Sequence, residues 1–457
     1  MPKIRRVFVA NRGEIAVRII RACRDLGIQT VQAYSEADAN SLPVRLADEA
    51  VCVGVAASKH SYLNHAALIG AAKASGADAI HPGYGFLSEN ADFAELCEAA
   101  ELVYIGAQSS VIRLMGDKAA ARRLAAETGV PISHGSEDPL DNPERAAEIA
   151  NRIGYPILVK AAAGGGGRGM RIVTTAADLR DSVERASMEA AAAFGSGAVY
   201  IEKYLHPVRH VEVQVLGDGK RVVHLGERDC TIQRRHQKLV EESPSSALTP
   251  GLRRRITESA VALASRVGYR SAGTIEYIVD EARQEFFFIE MNTRIQVEHP
   301  VTEMLTGLDL VALQIRIAAG EPLPFEQSQI RFTGHAIECR INAEDPERGF
   351  LPQPGTLTEY SAPSGPGVRV DSHAFPGYSL PPQYDSLIAK LIVLGTDREE
   401  ARARMQRALR EFHIVGVPTT VKFHQRLMAE PDFVTGNVHT RYLKDTMWAG
   451  HPAQKML

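Results

Sequence analysis

The chain has 457 residues, enough for roughly two to four domains around large buried cores. With 45% hydrophobic and 23% charged residues, its composition is that of a folded globular protein and excludes wholesale disorder, collagen and coiled coil. The net charge of −3 provides no general attraction for polyanions, so we expect no nucleic-acid partner.

The cysteines and the apolar runs indicate the compartment. Five cysteines are scattered without a CxxC pair, which favours neither a disulfide framework nor a structural zinc site and suits a reducing cytoplasm. No apolar run approaches the ~20 residues that a bilayer-spanning helix needs, and the N-terminus lacks a signal-peptide pattern. We therefore expect a cytoplasmic protein without a membrane partner.

The first part of the chain alternates strand and helix patterns. An apolar run at Val7–Ala10, a helical pattern over Glu14–Leu26 and a second apolar run at Thr30–Tyr34 predict one βαβ unit. The alternation continues at Ala50–Val55, Tyr62–Ser75, Ala79–His81, Glu89–Ala100 and Val103–Ile105. This order is typical of a Rossmann-like parallel sheet covered on both faces, and it predicts an α/β domain over residues 1–115.

Two further domains follow. After a helix at Lys118–Thr128, the segment 131–203 shows helix, strand, glycine-rich turn, strand, helix and strand, which predicts a small mobile lid. The later strands pair through short turns such as GDGK, so we expect an α+β body within a domain spanning 116–334. A third domain, 335–446, begins with the strand HAIECRIN and ends in an amphipathic helix.

A glycine-rich loop offers a phosphate site. Gly164, Gly166 and Gly169 satisfy GxGxxG, but apolar runs on both sides place the loop between two strands, which excludes the dinucleotide fingerprint that opens a helix. Bare amides in such a loop can close over phosphates, and Lys160 at the end of the first strand would lie over the same anion. A flexible hairpin without a ligand is the alternative.

Carboxylates in apolar strands indicate a metal site. Glu276 lies in TIEYIVD, while Glu290 and Asn292 share one face of EFFFIEMN. Pairing of these strands would bring together two carboxylates and an amide oxygen, a donor set that suits Mg²⁺ or Mn²⁺ bound to nucleotide phosphates. Two unrelated surface carboxylates are the alternative.

The segment NTRIQVEHPVTE continues from the predicted metal ligands. We expect an extended strand, ended by Pro300, in which Arg294, Gln296 and Glu298 share one face. Arg294 can bind a small oxyanion in bidentate fashion, and Glu298 can take a proton from it. A salt bridge between Arg294 and Glu298 is equally compatible with the spacing.

Three other features are ambiguous by themselves. In QRRHQK, strand spacing puts Gln233 opposite to His236 and Lys238, although a tight turn would break this count, and a solvated basic loop is the simpler reading. His210 in RHVEVQV fits a structural histidine as well as a catalytic one. Arg340 is most simply half of a cross-strand ion pair.

Together these segments carry a family signature. The segments FVANRGEIAVRIIRA, HPGYGFLSEN, MGDK, KAAAGGGGRGMR, RHVEVQV, ERDCTIQRRHQK, EMNTRIQVEHPVTE and HAIECRINAED occur in this order, and the chain resembles biotin carboxylase from about residue 4 to 445. The resemblance implies an ATP-grasp fold with a mobile lid and a C-terminal biotin carboxylase domain. It also implies a C–N bond-forming ligase that uses ATP, Mg²⁺ or Mn²⁺ and bicarbonate to carboxylate biotin on a carrier protein through carboxyphosphate.

The resemblance assigns a role to each candidate residue. ATP contacts are implied for Lys118, Lys160, Gly165, Gly166, Glu202, Lys203, Leu205, His210, Gln233 and His236. Metal ligation is implied for Glu276, Glu290 and Asn292, and a place beside bicarbonate for Lys238, Arg294, Gln296 and Val297. Glu298 matches the general base for bicarbonate, and Arg340 the cation that stabilises the enolate-like oxygen of biotin.

The partners follow from the same resemblance. We expect a free-standing subunit of acetyl-CoA carboxylase, acting in fatty acid biosynthesis with a biotin carboxyl carrier protein and carboxyltransferase subunits, because the sequence shows no biotinyl-lysine motif. A homodimer in contact through the first helix, near Arg18 and Arg21, is also implied. The equivalent subunit of a propionyl-CoA, methylcrotonyl-CoA, pyruvate or urea carboxylase, and a non-catalytic ATP sensor, are the alternatives.

Overall fold

The structure is a computed structural model that describes residues 4–136, 140, 143–161, 170–194 and 197–448. Within these ranges, no helix has both the length and the apolar character needed to cross a membrane.

The N-terminal region is a five-stranded parallel sheet in the order β3-β2-β1-β4-β5, flanked by helices. Its elements are β1 (Arg6–Val9), α1 (Gly13–Asp25), β2 (Gln29–Ser35), α2 (Leu42–Leu46), β3 (Glu49–Gly54), α3 (His65–Ala74), β4 (Ala79–His81), α4 (Ala91–Ala99) and β5 (Val103–Tyr104). The predicted parallel sheet is confirmed. Helix α3 is shorter than expected because the side chain of Asn64 caps it, accepting a hydrogen bond from the N–H of Ala67.

A three-stranded antiparallel sheet, ordered β7-β6-β8, follows two linking helices. The elements are α5 (Ser109–Gly116), α6 (Lys118–Glu127), α7 (Pro143–Ile153), β6 (Ile157–Ala161), β7 (Arg171–Val173), α8 (Leu179–Phe194) and β8 (Val199–Lys203). The predicted order of helices and strands in this segment is confirmed.

The largest feature is an eight-stranded antiparallel sheet in the order β13-β12-β9-β10-β11-β14-β19-β18. Its first half comprises β9 (Arg209–Asp218), β10 (Val222–Arg234), β11 (Gln237–Ser243), α9 (Pro250–Arg266), β12 (Arg270–Asp280) and β13 (Glu285–Asn292). Apolar residues of β9, among them Val211 and Val213, share a buried cluster with Ile256 of α9. The alternate residues of β9 are polar and face the other side, where the candidate site lies.

The same sheet continues into the C-terminal region. The remaining elements are α10 (His299–Thr306), α11 (Leu310–Ala318), β14 (His335–Asn342), β15 (Glu344–Asp345), β16 (Leu351–Pro352), β17 (Glu359–Ser361), β18 (Val368–Ser372), β19 (Leu387–Gly395), α12 (Arg398–Glu411), β20 (His413–Val415), α13 (Val421–Leu427), α14 (Pro431–Thr435) and a π-helical turn (Leu443–Met447). Strand β14 pairs with β11 through Cys339 and Val240, and thereby joins the segment after residue 335 to the body of the sheet.

Candidate active site

The candidate site lies on the polar face of three neighbouring strands. Strand register places Glu212 of β9 opposite Glu276 of β12, and Glu276 opposite Glu290 of β13, so three carboxylates form one row across the sheet. Neighbouring carboxylates repel one another when they are buried. The row therefore requires positive charge close by.

Glu276 is the centre of this row. Its Oε2 atom lies 2.8 Å from Nε2 of His210, and its Oε1 atom accepts hydrogen bonds from Nζ of Lys238 at 2.9 Å, Nδ2 of Asn292 at 3.0 Å and Nε2 of Gln296 at 2.9 Å. Burial acts to raise the pKa of Glu276, but Lys238 and His210 outweigh it and hold that pKa well below its ordinary value. Glu276 is thus ionised and oriented.

Glu290 has the opposite character. Burial, reinforced by the charge of Glu276, raises the pKa of Glu290, and Lys118 offsets this only in part. A buried carboxylate held beside a second one is stabilised by a divalent cation, and the carboxylates of Glu276 and Glu290 with the amide oxygen of Asn292 form a hard oxygen donor set. These residues therefore fit Mg²⁺ or Mn²⁺. The alternative of two unrelated surface carboxylates is wrong, since the two glutamates are register partners.

A second cluster links this row to Arg340. Nζ of Lys238 donates to Glu212 at 2.5 Å and to Oε1 of Glu298 at 2.7 Å, while Oε2 of Glu298 accepts from Nη2 of Arg340 at 3.0 Å. Nε of Arg340 donates to Glu241 at 2.7 Å, which confirms a cross-strand ion pair for Arg340. Glu298 therefore bridges the carboxylate row and Arg340.

The same contacts set the ionisation of this cluster. Burial acts to raise the pKa of Glu298, but Lys238 and Arg340 outweigh it, so that the pKa lies far below its ordinary value. Burial raises the pKa of the neighbouring Glu241 to about 7. Strand register places Glu241 directly opposite Glu338, which is fully buried and has neither carboxylate oxygen hydrogen-bonded, and burial raises the Glu338 pKa well above its usual range. Burial therefore favours the protonated form within the pair of Glu241 and Glu338.

A third group lies on the side of the three-stranded sheet. Nζ of Lys160 lies 2.5 Å from Oε1 of Glu202, and Nη1 of Arg122 donates to the same oxygen at 2.8 Å. These two cations outweigh burial and lower the pKa of Glu202. The charge of Lys118 interacts with Glu290 of the carboxylate row and with Glu202 of this group. Anchored cations close to a metal donor set suit a nucleotide polyphosphate.

Comparison with known proteins identifies this arrangement. Family models match biotin carboxylase, N-terminal domain, over residues 3–112; carbamoyl-phosphate synthase L chain, ATP binding domain, over 117–326; and biotin carboxylase C-terminal domain over 338–445. Biotin carboxylase 1 of Bacillus subtilis is 54% identical over 442 residues, which cover 96% of this chain and 98% of that protein. The chain belongs to the biotin carboxylase family.

Solved biotin carboxylase structures have the same fold. A beta-gamma-ATP complex of the Campylobacter jejuni biotin carboxylase matches with a TM-score of 0.94 and 48% identity, covering 97% of this chain and 99% of that one. The biotin carboxylase domain dimer of the Hydrogenobacter thermophilus 2-oxoglutarate carboxylase, in complex with MgADP, ADP and bicarbonate, matches with a TM-score of 0.94 and 51% identity, covering 98% and 99%. The chain is therefore an ATP-grasp enzyme that carboxylates biotin.

One predicted element of this biotin carboxylase is wrong. The extended strand that carries Arg294, Gln296 and Glu298 up to Pro300 does not form, because β13 ends at Asn292 and an irregular segment leads to α10. Pro300 occupies the first turn of α10, where its missing N–H costs nothing, so it starts a helix rather than ending a strand. Arg294 and Glu298 consequently form no salt bridge with each other. Nε of Arg294 donates to Glu89 at 2.8 Å, and its Nη2 donates to Asn292 at 3.0 Å.

The QRRHQK segment is a hairpin with a tight turn. Arg235 and His236 have φ values of 46° and 67°, and Gln233 pairs directly with Lys238 across the turn. The strand-spacing count that separated Gln233 from Lys238 is therefore broken, as a turn requires. Burial lowers the pKa of His236, and the charge of His210 lowers it further. His236 is therefore near His210 and the carboxylate row.

The remaining predicted residues have different surroundings. Nζ of Lys203 donates to the carbonyls of Gly154 and Tyr155, both at 3.0 Å, so its charge is held by the turn between α7 and β6. Leu205 is half-buried two residues farther along. The carbonyl of Val297 accepts from Nζ of the buried Lys390 at 2.9 Å. The predicted loop residues Gly164, Gly165, Gly166 and Gly169 lie outside the described residues.

Sequence reasoning missed Arg228, a fully buried cation of the site. Its side chain is fully buried and donates to Glu212 at 2.6 Å, Gln214 at 2.7 Å, Gln296 at 2.9 Å, Thr302 at 2.9 Å and Thr274 at 3.3 Å. A signal was present, because His210, Glu212 and Gln214 alternate with valines in one strand and so predict a polar inner face. A polar face in a buried sheet requires a buried cation.

Proposed function

We propose that this chain is the biotin carboxylase subunit of acetyl-CoA carboxylase, acting in fatty acid biosynthesis. It would convert ATP and bicarbonate to carboxyphosphate and transfer the carboxyl group to N1 of biotin on a carrier protein. The observation that carries the catalytic part is Glu298, which contacts Lys238 with one oxygen and Arg340 with the other. The carboxylate of Glu298 thus lies between Lys238, on the side proposed for metal and phosphate, and Arg340, the cation proposed for biotin.

The nucleotide would occupy the cleft between the two sheets. Lys118 and Lys160 would bind phosphate oxygens, and the hinge segment with Glu202, Lys203 and Leu205 would hold the adenine. His210, Gln233, His236 and the loop of Gly165 and Gly166 would complete the ATP contacts. A divalent ion held by Glu276, Glu290 and Asn292 would neutralise phosphate charge during transfer.

Bicarbonate would bind beside Lys238 and Arg294, with Gln296 and the backbone of Val297. The low pKa of Glu298 makes it a weak base as long as Lys238 and Arg340 both bind it. A bicarbonate anion that shares these cations would compete with Glu298, raise its pKa and so enable it to accept the bicarbonate proton. Base strength would therefore depend on substrate binding.

Arg340 would act on biotin. A ureido nitrogen is a very weak acid unless the oxyanion that develops on its carbonyl is stabilised by positive charge. Arg340 carries that charge, and Glu241 holds its guanidinium through Nε at 2.7 Å. One proton shared by Glu241 and Glu338 would leave more of the arginine charge available than two ionised carboxylates would.

Partners and location belong to the same proposal. We place the enzyme in the cytoplasm with a carrier protein and carboxyltransferase subunits, and its five free cysteines suit a reducing compartment. A homodimer through α1 would use Arg21, which is exposed. Arg18 is buried and binds Glu303 at 3.0 Å and Asp309 at 2.6 Å within the chain.

The test combines two assays. The purified chain should hydrolyse ATP in a bicarbonate-dependent reaction that free biotin stimulates, and ATP hydrolysis indifferent to both would refute the catalytic part. With its carrier and carboxyltransferase partners, carboxylation of acetyl-CoA rather than of a 2-oxo acid would support the acetyl-CoA pathway. The likeness to a 2-oxoglutarate carboxylase domain favours a 2-oxo acid as the second candidate acceptor.

A further inference from the structure

Two histidines and an aspartate that the proposed catalysis does not use lie together beside the segment proposed to hold adenine. His206 follows β8 by three residues, while His439 and Asp445 belong to the C-terminal segment after α14. One donor atom from each lies within 4.8 Å of the other two. Nε2 of His206 is 3.6 Å from Oδ2 of Asp445, and the two imidazole rings have centroids 4.9 Å apart.

We propose that His206, His439 and Asp445 form a binding site for a transition metal ion of the Zn²⁺ class. Imidazole nitrogen and carboxylate oxygen are ordinary zinc ligands, and three protein ligands leave a fourth position for water. Tetrahedral zinc with bonds of about 2.0 Å needs donor atoms roughly 3.3 Å apart, which the 3.6 Å pair nearly has. Small side-chain rotations would complete the site.

Neighbouring groups already orient the ligands. Nη2 of Arg441 donates to Oδ1 of Asp445 at 2.9 Å, which leaves Oδ2 turned toward His206. Nη1 of Arg441 donates to Oη of Tyr204 at 3.2 Å. The Tyr204 ring stacks on the His206 ring, and the two ring centroids are 6.1 Å apart. Outer partners of this kind fix ligand geometry in metal sites.

Two features work against very tight binding. Arg441 brings a positive charge close to the ion, although its pairing with Asp445 offsets part of that charge. The backbone N–H of Arg441 also donates to Nδ1 of His439 at 3.3 Å, a long bond that is lost when this nitrogen carries the proton and Nε2 binds metal. We therefore expect a site that exchanges its metal rather than a permanently occupied one.

Two hydrogen bonds hold together the two segments that carry the ligands. The N–H of Thr440 donates to the carbonyl of Val208 at 3.0 Å, and the guanidinium of Arg209 donates to the carbonyl of Gly436. The C-terminal segment and the loop after β8 are thus already held against each other. The side chains of His206 and Asp445 are 28% and 29% exposed, so an ion can enter from solvent.

Occupation of the site would affect the neighbouring hinge. His206 directly follows Leu205, and this effect on ATP rests on the proposed function of that hinge, whereas metal binding itself does not. An ion that ties His206 to the C-terminal segment would restrain the loop and change the affinity for ATP. Zinc would therefore regulate nucleotide binding from outside the catalytic centre.

Zinc titration by calorimetry tests the site on the full, untagged chain. Excess Mg²⁺ is present to occupy the oxygen ligands of the catalytic centre, because Mg²⁺ competes poorly for imidazole. His206→Gln, His439→Gln and Asp445→Asn should each weaken zinc binding at least about tenfold. The control is His413→Gln, which alters an exposed histidine 2.9 Å from Glu359 that has no third candidate ligand among the residues the structure describes.

The outcomes separate the site from its effect on the hinge. Unchanged zinc affinity in all three variants would overturn the site, since the ion would then bind elsewhere. Cobalt added in place of zinc should give visible absorption bands of tetrahedral coordination in the unaltered protein and the control only. If zinc binds as expected but leaves the KM for ATP unchanged, the link to the hinge is overturned while the site stands. Because binding is measured without turnover, failure of the proposed carboxylation would not affect this result.

Discussion

Replacement of Glu298 by glutamine tests the bridging role of this carboxylate. The change removes one negative charge without removing volume, and the amide oxygen can still accept from one of the two cations that bind Glu298. About one charge-assisted hydrogen bond is lost, at a cost of roughly 1.5–3 kcal/mol of stability. Lys238 keeps Glu212 at 2.5 Å and Glu276 at 2.9 Å, and Arg340 keeps Glu241, so the cluster should stay in place.

The catalytic effect should be larger than the structural one. Loss of a general base typically costs about 10²- to 10⁴-fold in rate, or about 3–5 kcal/mol of activation free energy. We expect kcat for bicarbonate- and biotin-dependent ATP hydrolysis to fall about 10³-fold, with the KM for ATP changed far less, because the proposed ATP contacts lie elsewhere.

Glu242→Gln is the matched control. Glu242 is similarly buried and contacts two side chains, Arg398 at 2.7 Å and His335 at 2.9 Å, but it lies on the opposite face of β11 from Glu241. The Glu242→Gln variant should lose a comparable amount of stability and keep its turnover. Turnover of Glu298→Gln within about threefold of the unaltered enzyme would refute the reasoning, and so would an equal loss of turnover in Glu242→Gln.

Three further predictions concern pH, metal and the glycine loop. His335 and Arg398 lower the pKa of Glu242 to about 2 against burial, whereas burial raises that of Glu241 to about 7. The Glu242 contribution, about 3 kcal/mol, is therefore present above pH 4.5 and lost as pH falls toward 2, whereas Glu241 makes the protein less stable as pH rises from 4.5 to 7. The free energy of unfolding, measured with denaturant at several pH values, should fall less in acid for Glu242→Gln than for the unaltered protein. For Glu241→Gln it should fall less as pH rises toward neutral. Profiles identical to that of the unaltered protein would contradict both assignments. Glu290→Gln should raise the Mg²⁺ concentration for half-maximal activity about tenfold or more, and an unaltered Mg²⁺ dependence would exclude Glu290 as a ligand. Valine in place of both Gly165 and Gly166 should raise the KM for ATP, because side chains would obstruct amide contact with phosphate, and unaltered ATP kinetics would show that the loop does not bind the nucleotide.

Local patterns explain which elements could be predicted. Helix α1 and the strands of the N-terminal sheet follow from apolar periodicity, and the pairing of Glu276 with Glu290 follows from two strands joined by a short turn. The segment 293–298 was mispredicted because polar alternation resembles a strand, whereas Pro300 fits the first turn of a helix.

Long-range contacts set the limit of prediction for the site. Glu89 and Arg294 are 205 residues apart in sequence, and Lys390 reaches Val297 across 93 residues. The periodicity of a sequence does not predict such long-range contacts, because they depend on how separate elements pack. The family signature predicted most candidate residues without knowledge of these contacts. It did not predict that Glu298 bridges Lys238 and Arg340.

The most direct test of the account is where a divalent ion binds when nucleotide is present. Crystals of the chain grown with Mn²⁺ and a non-hydrolysable ATP analogue should give an anomalous peak at coordination distance from the carboxylates of Glu276 and Glu290, beside the analogue's phosphates and next to Lys238. An ion bound away from both carboxylates, or a nucleotide bound outside the cleft that they line, would contradict the proposed site.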